Sequence, residues 1–287
     1  MKILESIDAY SEELTDREQA IAHYIKDNYP NCLLDSATRL GHDVGVSTAT
    51  VVRFFAKLGY ASFRRVQEEV RADLSDKQPS PALRAALPHH TGRSVGEILD
   101  DVVVREKQNI DYTHSAVNLQ ELEAVVNKLV ARSSGRVYIT GAKNSNSLAR
   151  HLATHLMMCM PNVDLLPNDA GLLADRMLWT KPSDLLLAFS IRRYSSSIVR
   201  TAKHFHQEGA TVVGFTDRQA APLVPYTHHN LRIFTQSGSP FDSYTAGMVL
   251  CNVLISAVAA RNRTSVKESL DRGDKLWHKF DVFSPTR

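Results

Sequence analysis

The chain has 287 residues, of which 43% are hydrophobic and 23% charged, as is typical of a globular protein with one small and one medium domain. Its net charge of +3 is too small to indicate nucleic-acid binding by itself. The three cysteines lie far apart and form no C-x-x-C motif, which argues against a disulfide framework and against a cysteine-based zinc site. This cysteine usage fits a reducing compartment, and we expect a cytoplasmic protein.

Two segments of the chain bear on export and membrane insertion. Acidic residues interrupt the N-terminal segment where a signal peptide needs an apolar core, so secretion is not expected. The longest apolar run, 246–260, is too short to cross a bilayer and predicts a buried core helix. We therefore expect no membrane partner.

Residues 1–75 are predicted to form an all-α helix-turn-helix domain. Thr15 and Glu18 have the spacing of a capping box, in which each side chain satisfies a backbone N–H group at a helix start. Apolar residues at helical spacing follow this box. A second helix is predicted over about 36–42 and a third over about 47–58, ending at a glycine.

The pattern changes twice after the helical domain. Residues 76–96 are rich in proline and polar residues and predict a linker, and 95–131 is predicted as helical with a break near Asn118. Short apolar runs then alternate with helical patterns, which favours a second domain over 97–287. Its fold class is α/β, with a doubly wound, parallel, five-stranded sheet. The five predicted strands are 137–140, 163–166, 185–189, 212–215 and 231–234.

Residues 40–53 carry the pattern of a helix-turn-helix. Gly45 allows the positive φ of a tight turn, and Val46 and Val51 are placed to fill the core between two helices. Residues 39–65 contain five basic residues and one acidic residue. The side of the domain that bears the motif is therefore positively charged, as contact with DNA phosphates requires. An ordinary helical hairpin in a core is the alternative. The candidate DNA-binding residues on the third helix are Ser47, Thr48, Ala49, Thr50, Arg53 and Lys57.

These residues resemble the DNA-binding domain of the RpiR family of transcriptional regulators. The resemblance covers 18–25, 45–54 and 57–63, and it is most specific in Val-Ser-x-x-Thr-Val-x-Arg-Phe at 46–54, followed by Leu-Gly-Tyr at 58–60. RpiR regulators join this domain to a sugar-isomerase (SIS) domain, so the resemblance extends over essentially the whole chain. It implies a double-stranded DNA operator as a partner. A single helix-turn-helix reads few base pairs, so we expect a homodimer or homotetramer.

Two turns after predicted strands carry candidate ligand residues. The turns 140–147 and 190–197 are rich in hydroxyl groups, and ligands of open parallel sheets bind beyond the strand ends, near helix N-termini. Arg192 and Arg193 add positive charge suited to a phosphate or carboxylate. We expect one of them to meet the ligand and the other to meet solvent or a partner subunit. Serines that merely cap helices, beside solvated arginines, are the alternative.

The SIS resemblance assigns roles to individual serines in these turns. It implies that Ser145 is the phosphate-binding serine of the first turn, and that Ser190 and Ser195 match the second. Arg192 and Arg193 stand where the SIS pattern has Ser-Gly, so the ligand is either a phosphosugar or another anion such as a sugar acid. Ser243, in the loop before the apolar run 246–260, is a further candidate. The candidate ligand-binding residues are therefore Ser145, Ser147, Ser190, Arg192, Arg193, Ser195 and Ser243.

The favoured function is a transcriptional regulator, either repressor or activator, whose operator binding is modulated by a small phosphosugar or another anionic metabolite. A sugar-phosphate isomerase and a constitutive architectural DNA binder are the alternatives. Isomerisation needs a base beside C1–C2 and usually a ring-opening histidine, and the C-terminal loops show no acid-plus-histidine cluster, so no enzymatic activity is predicted. No cofactor or metal is predicted: His151 and His155 are four apart, but Leu152 stands where a zinc protease has glutamate.

Overall fold

The computed structural model divides into two compact units. Contacts between Cα atoms separate Met1–Gln78 from Pro79–Arg287. Part of the predicted linker 76–96 lies outside the described residues, and the predicted domain boundaries remain predictions. The residues that the structure describes are 2–76, 84–85, 90, 92–131 and 135–283.

The first unit is built from short helices that begin at polar caps. At the start of α2 (Asp16–Asn28), the Glu18 carboxylate accepts a hydrogen bond from the Thr15 N–H at 2.9 Å, which confirms the predicted capping box. The Ser36 and Ser47 hydroxyls accept N–H hydrogen bonds at the starts of α3 (Ala37–Val44) and α4 (Thr48–Lys57). The helices are α1 (Lys2–Ala9), α2 (Asp16–Asn28), α3 (Ala37–Val44), α4 (Thr48–Lys57) and α5 (Phe63–Asp76).

The turn between α3 and α4 brings the two helices close together. Gly45 has a φ of 77°, the left-handed conformation that the sequence predicts there. The Val46 N–H donates to the Gly41 carbonyl at 2.8 Å, and a Cβ atom at Gly41 would lie 2.8 Å from the Val46 carbonyl oxygen. Val51 and Phe54 are fully buried in the core below the turn. The predicted helix-turn-helix is therefore present.

The second unit is an α/β fold, as predicted. The interruption of its first helical stretch at Asn118 is confirmed, because that side chain caps the next helix. The elements are α6 (Val95–Ala116), α7 (Leu119–Val130), β1 (Val137–Gly141), α8 (Asn146–Cys159), β2 (Val163–Leu165), α9 (Ala170–Met177), β3 (Leu185–Ser190), α10 (Ser196–Gln207), β4 (Thr211–Thr216), β5 (His229–Arg232), α11 (Thr245–Arg261) and α12 (Arg263–Lys279).

All strand pairs in the sheet are parallel, and the strand order is β2-β1-β3-β4-β5. The fifth strand differs from the prediction of 231–234 by two residues. It pairs Val213 with His229 and Thr216 with Arg232, so it begins in a polar segment. β5 forms one edge of the sheet and stays partly exposed there, so its apolar residues alone do not mark its limits.

Helices cover both faces of the sheet. Because strands are pleated, alternate side chains point to opposite faces. Ile139 and Leu187 pack in a cluster with residues of α7, α8 and α11. Tyr138 and Leu186 pack on the other face with Phe205 of α10, and the Tyr138 and Phe205 ring centroids are 5.0 Å apart. With both faces filled, the strand ends are the places where a ligand can enter.

The long apolar helix α11 is part of this core. Leu250, Leu254 and Val258 are buried, as expected from the apolar run 246–260. Within the described part of the chain, no single helix is both long and apolar enough to cross a membrane. Only α11 and α12 taken together are long and apolar enough within this part of the chain, and the two helices are bent by 102° where they meet.

Candidate functional site

A pocket of about 430 Å³ opens at the carboxyl ends of β1 and β3. In this strand order the connections leave β1 and β3 toward opposite sides, and doubly wound sheets bind ligands at that crossover. The turn after β1, the turn after β3 and the loop between β5 and α11 form the pocket walls. The lining residues are 142–145, 189–196, 240–242 and Tyr244.

The first turn is organised around Ser145. Its hydroxyl lies 2.9 Å from the Ala142 carbonyl oxygen and 3.3 Å from the Phe189 carbonyl oxygen, so it ties the two turns together. A Cβ atom at Gly141 would lie 2.6 Å from the Ser145 carbonyl oxygen, so glycine is required for this close approach. α8 begins at the next residue, Asn146, and its N-terminus borders the pocket.

The second turn presents hydroxyl groups that local structure does not use. Ser190, at the end of β3, is 2% exposed, and its hydroxyl finds no hydrogen-bond partner among the described residues. Ser195 is the N-cap residue of α10, yet its side chain makes no capping hydrogen bond. A buried hydroxyl without a partner is costly, so a ligand that hydrogen-bonds to Ser190 recovers that energy.

The two arginines of the second turn differ in environment. Arg192 is 10% exposed and donates to the Asp242 carboxylate from Nε at 3.2 Å and from Nη2 at 3.0 Å. Arg193 is exposed and has a φ of 33°, although both arginines line the pocket. Arg192 is therefore the buried cation of the pocket wall.

Acidic and phenolic groups complete the wall. Burial raises the pKa of Asp242 above its ordinary range, and the neighbouring Arg192 guanidinium only partly offsets this. Burial, together with the nearby Asp242 carboxylate, raises the pKa of Tyr244 to about 12, so its phenol remains a hydrogen-bond donor at neutral pH. The pocket thus contains hydroxyl donors, a buried guanidinium and the N-termini of α8 and α10, which together suit an anion.

Two predicted ligand residues do not line this pocket. The Ser147 hydroxyl, in the first turn of α8, donates to the Asn144 carbonyl at 2.7 Å. The Ser243 hydroxyl donates to the Glu106 carboxylate of α6 at 2.6 Å. Both are absent from the set of described residues that form the pocket wall.

The predicted DNA-binding residues lie along α4. Ser47, Thr48, Ala49 and Arg53 are exposed, and no other described side chain pairs with Arg53. The Ser47 hydroxyl lies 2.8 Å from the Thr50 hydroxyl, so these two groups are engaged at the helix start. The N-terminal half of α4 is therefore exposed up to the guanidinium of Arg53, and such a helix end is suited to insertion into a DNA groove.

Lys57, at the end of α4, faces the domain itself. Its ammonium group lies 3.1 Å from the Glu18 carboxylate and also donates to the Glu13 carbonyl. Burial raises the pKa of Glu18, but hydrogen bonds from Thr15 and Lys57 outweigh this effect and hold that pKa below its ordinary value. Lys57 therefore joins α4 to α2, a contact between residues 39 positions apart.

Family models match both units. The model of the rpiR-family helix-turn-helix domain matches residues 1–77, and the SIS-domain model matches residues 131–257. The chain belongs to the RpiR family. It joins a DNA-binding helix-turn-helix domain to a SIS domain, the organisation of a transcriptional regulator.

Relatives of this RpiR-family chain carry regulator names. It is 25% identical over 232 residues to an uncharacterized HTH-type transcriptional regulator of Haemophilus influenzae, covering 80% of this chain and 78% of that one. It is 22% identical over 243 residues to an uncharacterized HTH-type transcriptional regulator of Clostridium perfringens, covering 85% of each.

Solved structures share the fold. The sugar isomerase domain of an RpiR transcription factor from Sphaerobacter thermophilus is 20% identical, with a TM-score of 0.59, covering 62% of this chain and 99% of that chain. The Vibrio vulnificus NanR protein, complexed with ManNAc-6P, is 19% identical, with a TM-score of 0.57, covering 98% of this chain and 99% of that chain. A putative sugar-phosphate isomerase from Listeria monocytogenes is 16% identical, with a TM-score of 0.52, covering 62% of this chain and 97% of that chain.

Two kinds of residue at these sites of the RpiR-family chain were not predicted from the sequence. Val52 is 42% exposed beside Arg53 on α4, where an apolar group can contact a thymine methyl. Asp242 and Tyr244 line the pocket, and the only sequence signal for them was their place in a polar loop after β5. Val52 follows Ala49 by three residues, so helical spacing could have placed it on the same face of α4. The residues next to Asp242 in the sequence give no sign that Asp242 lies beside Arg192.

The histidines do not form a metal centre in the described part of the chain, where no group of three or more His, Cys, Asp or Glu side chains is placed to hold an ion. The rings of His151 and His155 are 4.5 Å apart on α8. One bonds to the Asn252 side chain and the other to a backbone carbonyl, so both have local partners.

Proposed function

We propose that this RpiR-family regulator binds a small anionic metabolite, a phosphosugar or a sugar acid, in the pocket between β1 and β3, and that occupancy modulates operator binding by α4. The observation that carries the proposal is the buried, unpaired hydroxyl of Ser190 beside two helix N-termini and the Arg192 guanidinium. The complex of NanR with ManNAc-6P supports a phosphosugar.

The anion is proposed to bind between the two turns. Partial positive charge at the N-termini of α8 and α10 favours a phosphate or carboxylate there. Ser190 and Ser195 donate to its oxygens, Ser145 can turn its hydroxyl outward to do the same, and Arg192 or Arg193 supplies a planar fork of donors. Ser147 and Ser243 support the walls through their own contacts.

The DNA interface is proposed along the exposed N-terminal half of α4. Thr48, Ala49 and Arg53, together with Val52, face the major groove of a double-stranded operator, where an arginine reads guanine and apolar groups contact thymine methyls. Ser47 and Thr50 order the start of the helix, and Lys57 fixes its far end against α2. A protein that binds an operator needs access to DNA, and we propose that this regulator is cytoplasmic.

Enzymatic turnover is not part of the proposal. Aldose–ketose isomerisation needs a base near C1–C2 and usually a histidine. Among the described lining residues there is no histidine, and the Asp242 carboxylate is held by arginine. The putative isomerase among the solved structures shares the fold, and a fold hosts unrelated functions.

A binding titration with the full chain tests the effector site. ManNAc-6P, glucose 6-phosphate and inorganic phosphate are titrated calorimetrically, and thermal unfolding is followed with the same compounds. A true effector at a hundred times its Kd adds about 2.7 kcal/mol to stability. Ser190→Ala is expected to lower affinity about tenfold, whereas Ser197→Ala, which lies outside the lining residues, leaves affinity unchanged. Equal behaviour of both variants would refute the placement of the site.

DNA binding is tested by bandshift on sequences selected from a random pool. Arg53→Ala is expected to weaken binding by about 1–3 kcal/mol and to relax preference at one base pair. Addition of the effector identified above is then expected to change the fraction of DNA bound. Sustained interconversion of aldose and ketose phosphates by the purified protein would favour the isomerase instead.

A further inference from the structure

Two basic side chains line the rim of the pocket, one on each of its two turns. Lys143 follows the end of β1 by two residues, and Arg193 follows the end of β3 by three. Both side chains are exposed, whereas Ser190, which lines the same pocket, is 2% exposed. The pocket therefore has a buried end at Ser190 and an exposed end that carries two cations.

Both basic residues have a backbone conformation that favours glycine. The angle φ is 51° at Lys143 and 33° at Arg193, in the left-handed region where a Cβ atom crowds the backbone. Arg193 also stands where the SIS pattern has glycine. A long side chain in this conformation costs free energy that glycine would not cost, and residues held in this way cluster at ligand-binding sites. Two of them at one pocket indicate that their side chains serve binding rather than folding.

Neither cation is engaged elsewhere in the described part of the chain. No ion pair or hydrogen bond of the Lys143 ammonium or the Arg193 guanidinium is found there. Asp242 is the only acidic side chain among the described lining residues, and it accepts hydrogen bonds from a different arginine, Arg192. A second buried carboxylate, Asp217, lies outside the lining and accepts a hydrogen bond from a tyrosine. The two rim cations are thus available to an anionic group of a bound molecule.

The pocket is large enough for a molecule that reaches both ends. Its volume of about 430 Å³ is that of a site for a small organic molecule, and a single inorganic ion would fill only part of it. The phosphate or carboxylate proposed above, at Ser190 and the helix N-termini, occupies the buried end. A second anionic group on the same molecule would then lie at the exposed end, beside Lys143 and Arg193.

We propose that Lys143 and Arg193 form a second anion subsite, and that the effector of this regulator carries two anionic groups, as a phosphorylated sugar acid or a sugar bisphosphate does. This inference rests on the effector site proposed above, and it narrows the ligand from a phosphosugar or a sugar acid to a compound with two charged ends. The rim cations select against compounds that carry only one anionic group. Because the rim is exposed, salt screens this selection.

Matched ligands test the second subsite by calorimetry on the full chain. Glucitol 6-phosphate and 6-phosphogluconate share a carbon chain and a phosphate, and they differ at C1, where the first has a hydroxymethyl group and the second a carboxylate. Fructose 6-phosphate and fructose 1,6-bisphosphate form a second pair, which differs by a phosphate. In at least one pair the compound with two anionic groups is expected to bind about tenfold tighter, or about 1.4 kcal/mol. This preference is expected to shrink as salt is raised from about 0.1 M to about 1 M.

Substitutions at the rim identify the residues responsible. Lys143→Gln and Arg193→Gln are each expected to reduce the preference about threefold, and the double variant is expected to lose it. Affinity for the singly charged compound of the pair is expected to change less than about twofold, because the buried end is intact. The matched control is Arg200→Gln, which removes an exposed arginine of α10 outside the pocket lining and is expected to have no effect.

Glycine variants give a readout besides affinity. Lys143→Gly and Arg193→Gly remove the same charges and suit the left-handed backbone, so the preference is expected to be lost while the Tm of the unliganded protein stays the same or rises. A Tm that falls by several degrees in both variants would show that these side chains stabilise the fold, and it would overturn the inference.

The outcomes separate this inference from the proposed function. If the wild type binds none of the four compounds saturably, the effector site fails and the inference fails with it. If the two compounds of each pair bind equally, or if the preference survives in the double variant, the effector site stands and the second subsite is overturned.

Discussion

Replacing Lys57 by methionine separates a structural role of this lysine from contact with DNA. Methionine keeps the length and apolar stem of the side chain but removes the ammonium, which lies 3.1 Å from the Glu18 carboxylate. At that separation the Coulomb energy is about 1.3 kcal/mol at the dielectric constant of water and about 5 kcal/mol at an effective value of 20. Lys57 is 31% and Glu18 15% exposed, so desolvation and solvent screening cancel much of the larger figure.

We expect a net loss of about 1–2 kcal/mol in the free energy of unfolding of the first unit. Both tryptophans, Trp179 and Trp277, lie in the second unit, so their fluorescence does not report this loss. Hydrogen exchange of peptides from α2 and α4 in the full chain measures it directly. The matched control is Lys26→Met, whose 2.6 Å pair with Asp8 is 40% and 65% exposed and is expected to contribute less than about 0.5 kcal/mol.

The pH dependence gives an independent check. The pKa of Glu18 is lowered in the folded protein, so its stabilising contribution is full above the unfolded pKa and is lost as pH falls through the folded pKa. Lys57→Met brings the two pKa values closer, so stability of the first unit is expected to fall less steeply below about pH 4.5. Unchanged local stability together with a loss of about one unit in the salt slope of DNA binding would refute this reasoning and make Lys57 a phosphate contact.

Several further outcomes are expected. Asp184 is 1% exposed, and its carboxylate accepts backbone N–H hydrogen bonds from Arg136 at 2.8 Å and from Lys181 at 3.0 Å. In Asp184→Asn the side-chain NH₂ group would face one of these N–H donors, and two donors cannot bond to each other. This substitution is expected to lower the Tm by several degrees, measured by calorimetry. Val52→Ala is expected to weaken operator binding less than Arg53→Ala and to leave its salt slope unchanged, measured by bandshift. Light scattering of the full chain is expected to show a homodimer or homotetramer at micromolar concentration, and a monomer would contradict this expected self-association.

Local sequence patterns predicted the helix-turn-helix of the first unit and the alternation of strands and helices in the second. The capping box at Thr15 and Glu18 and the left-handed Gly45 depend on neighbours a few residues away, which is why they could be predicted. The parallel sheet followed from the alternation of apolar runs with helical patterns. The fifth strand was placed two residues too late because its first residues are polar and lie at a sheet edge.

Tertiary structure alone decided which charged groups meet. Lys57 pairs with Glu18 across 39 positions, and Asp242 meets Arg192 across 50 and Arg84 across 158. Periodicity and spacing report only the local conformation of the backbone, whereas such pairs depend on how the chain returns to the same place after several helices and strands. The sequence therefore indicated an anion-binding edge of the sheet that carries Arg192 and Arg193. Only the fold showed that Arg192 pairs with Asp242, a carboxylate that also pairs with Arg84.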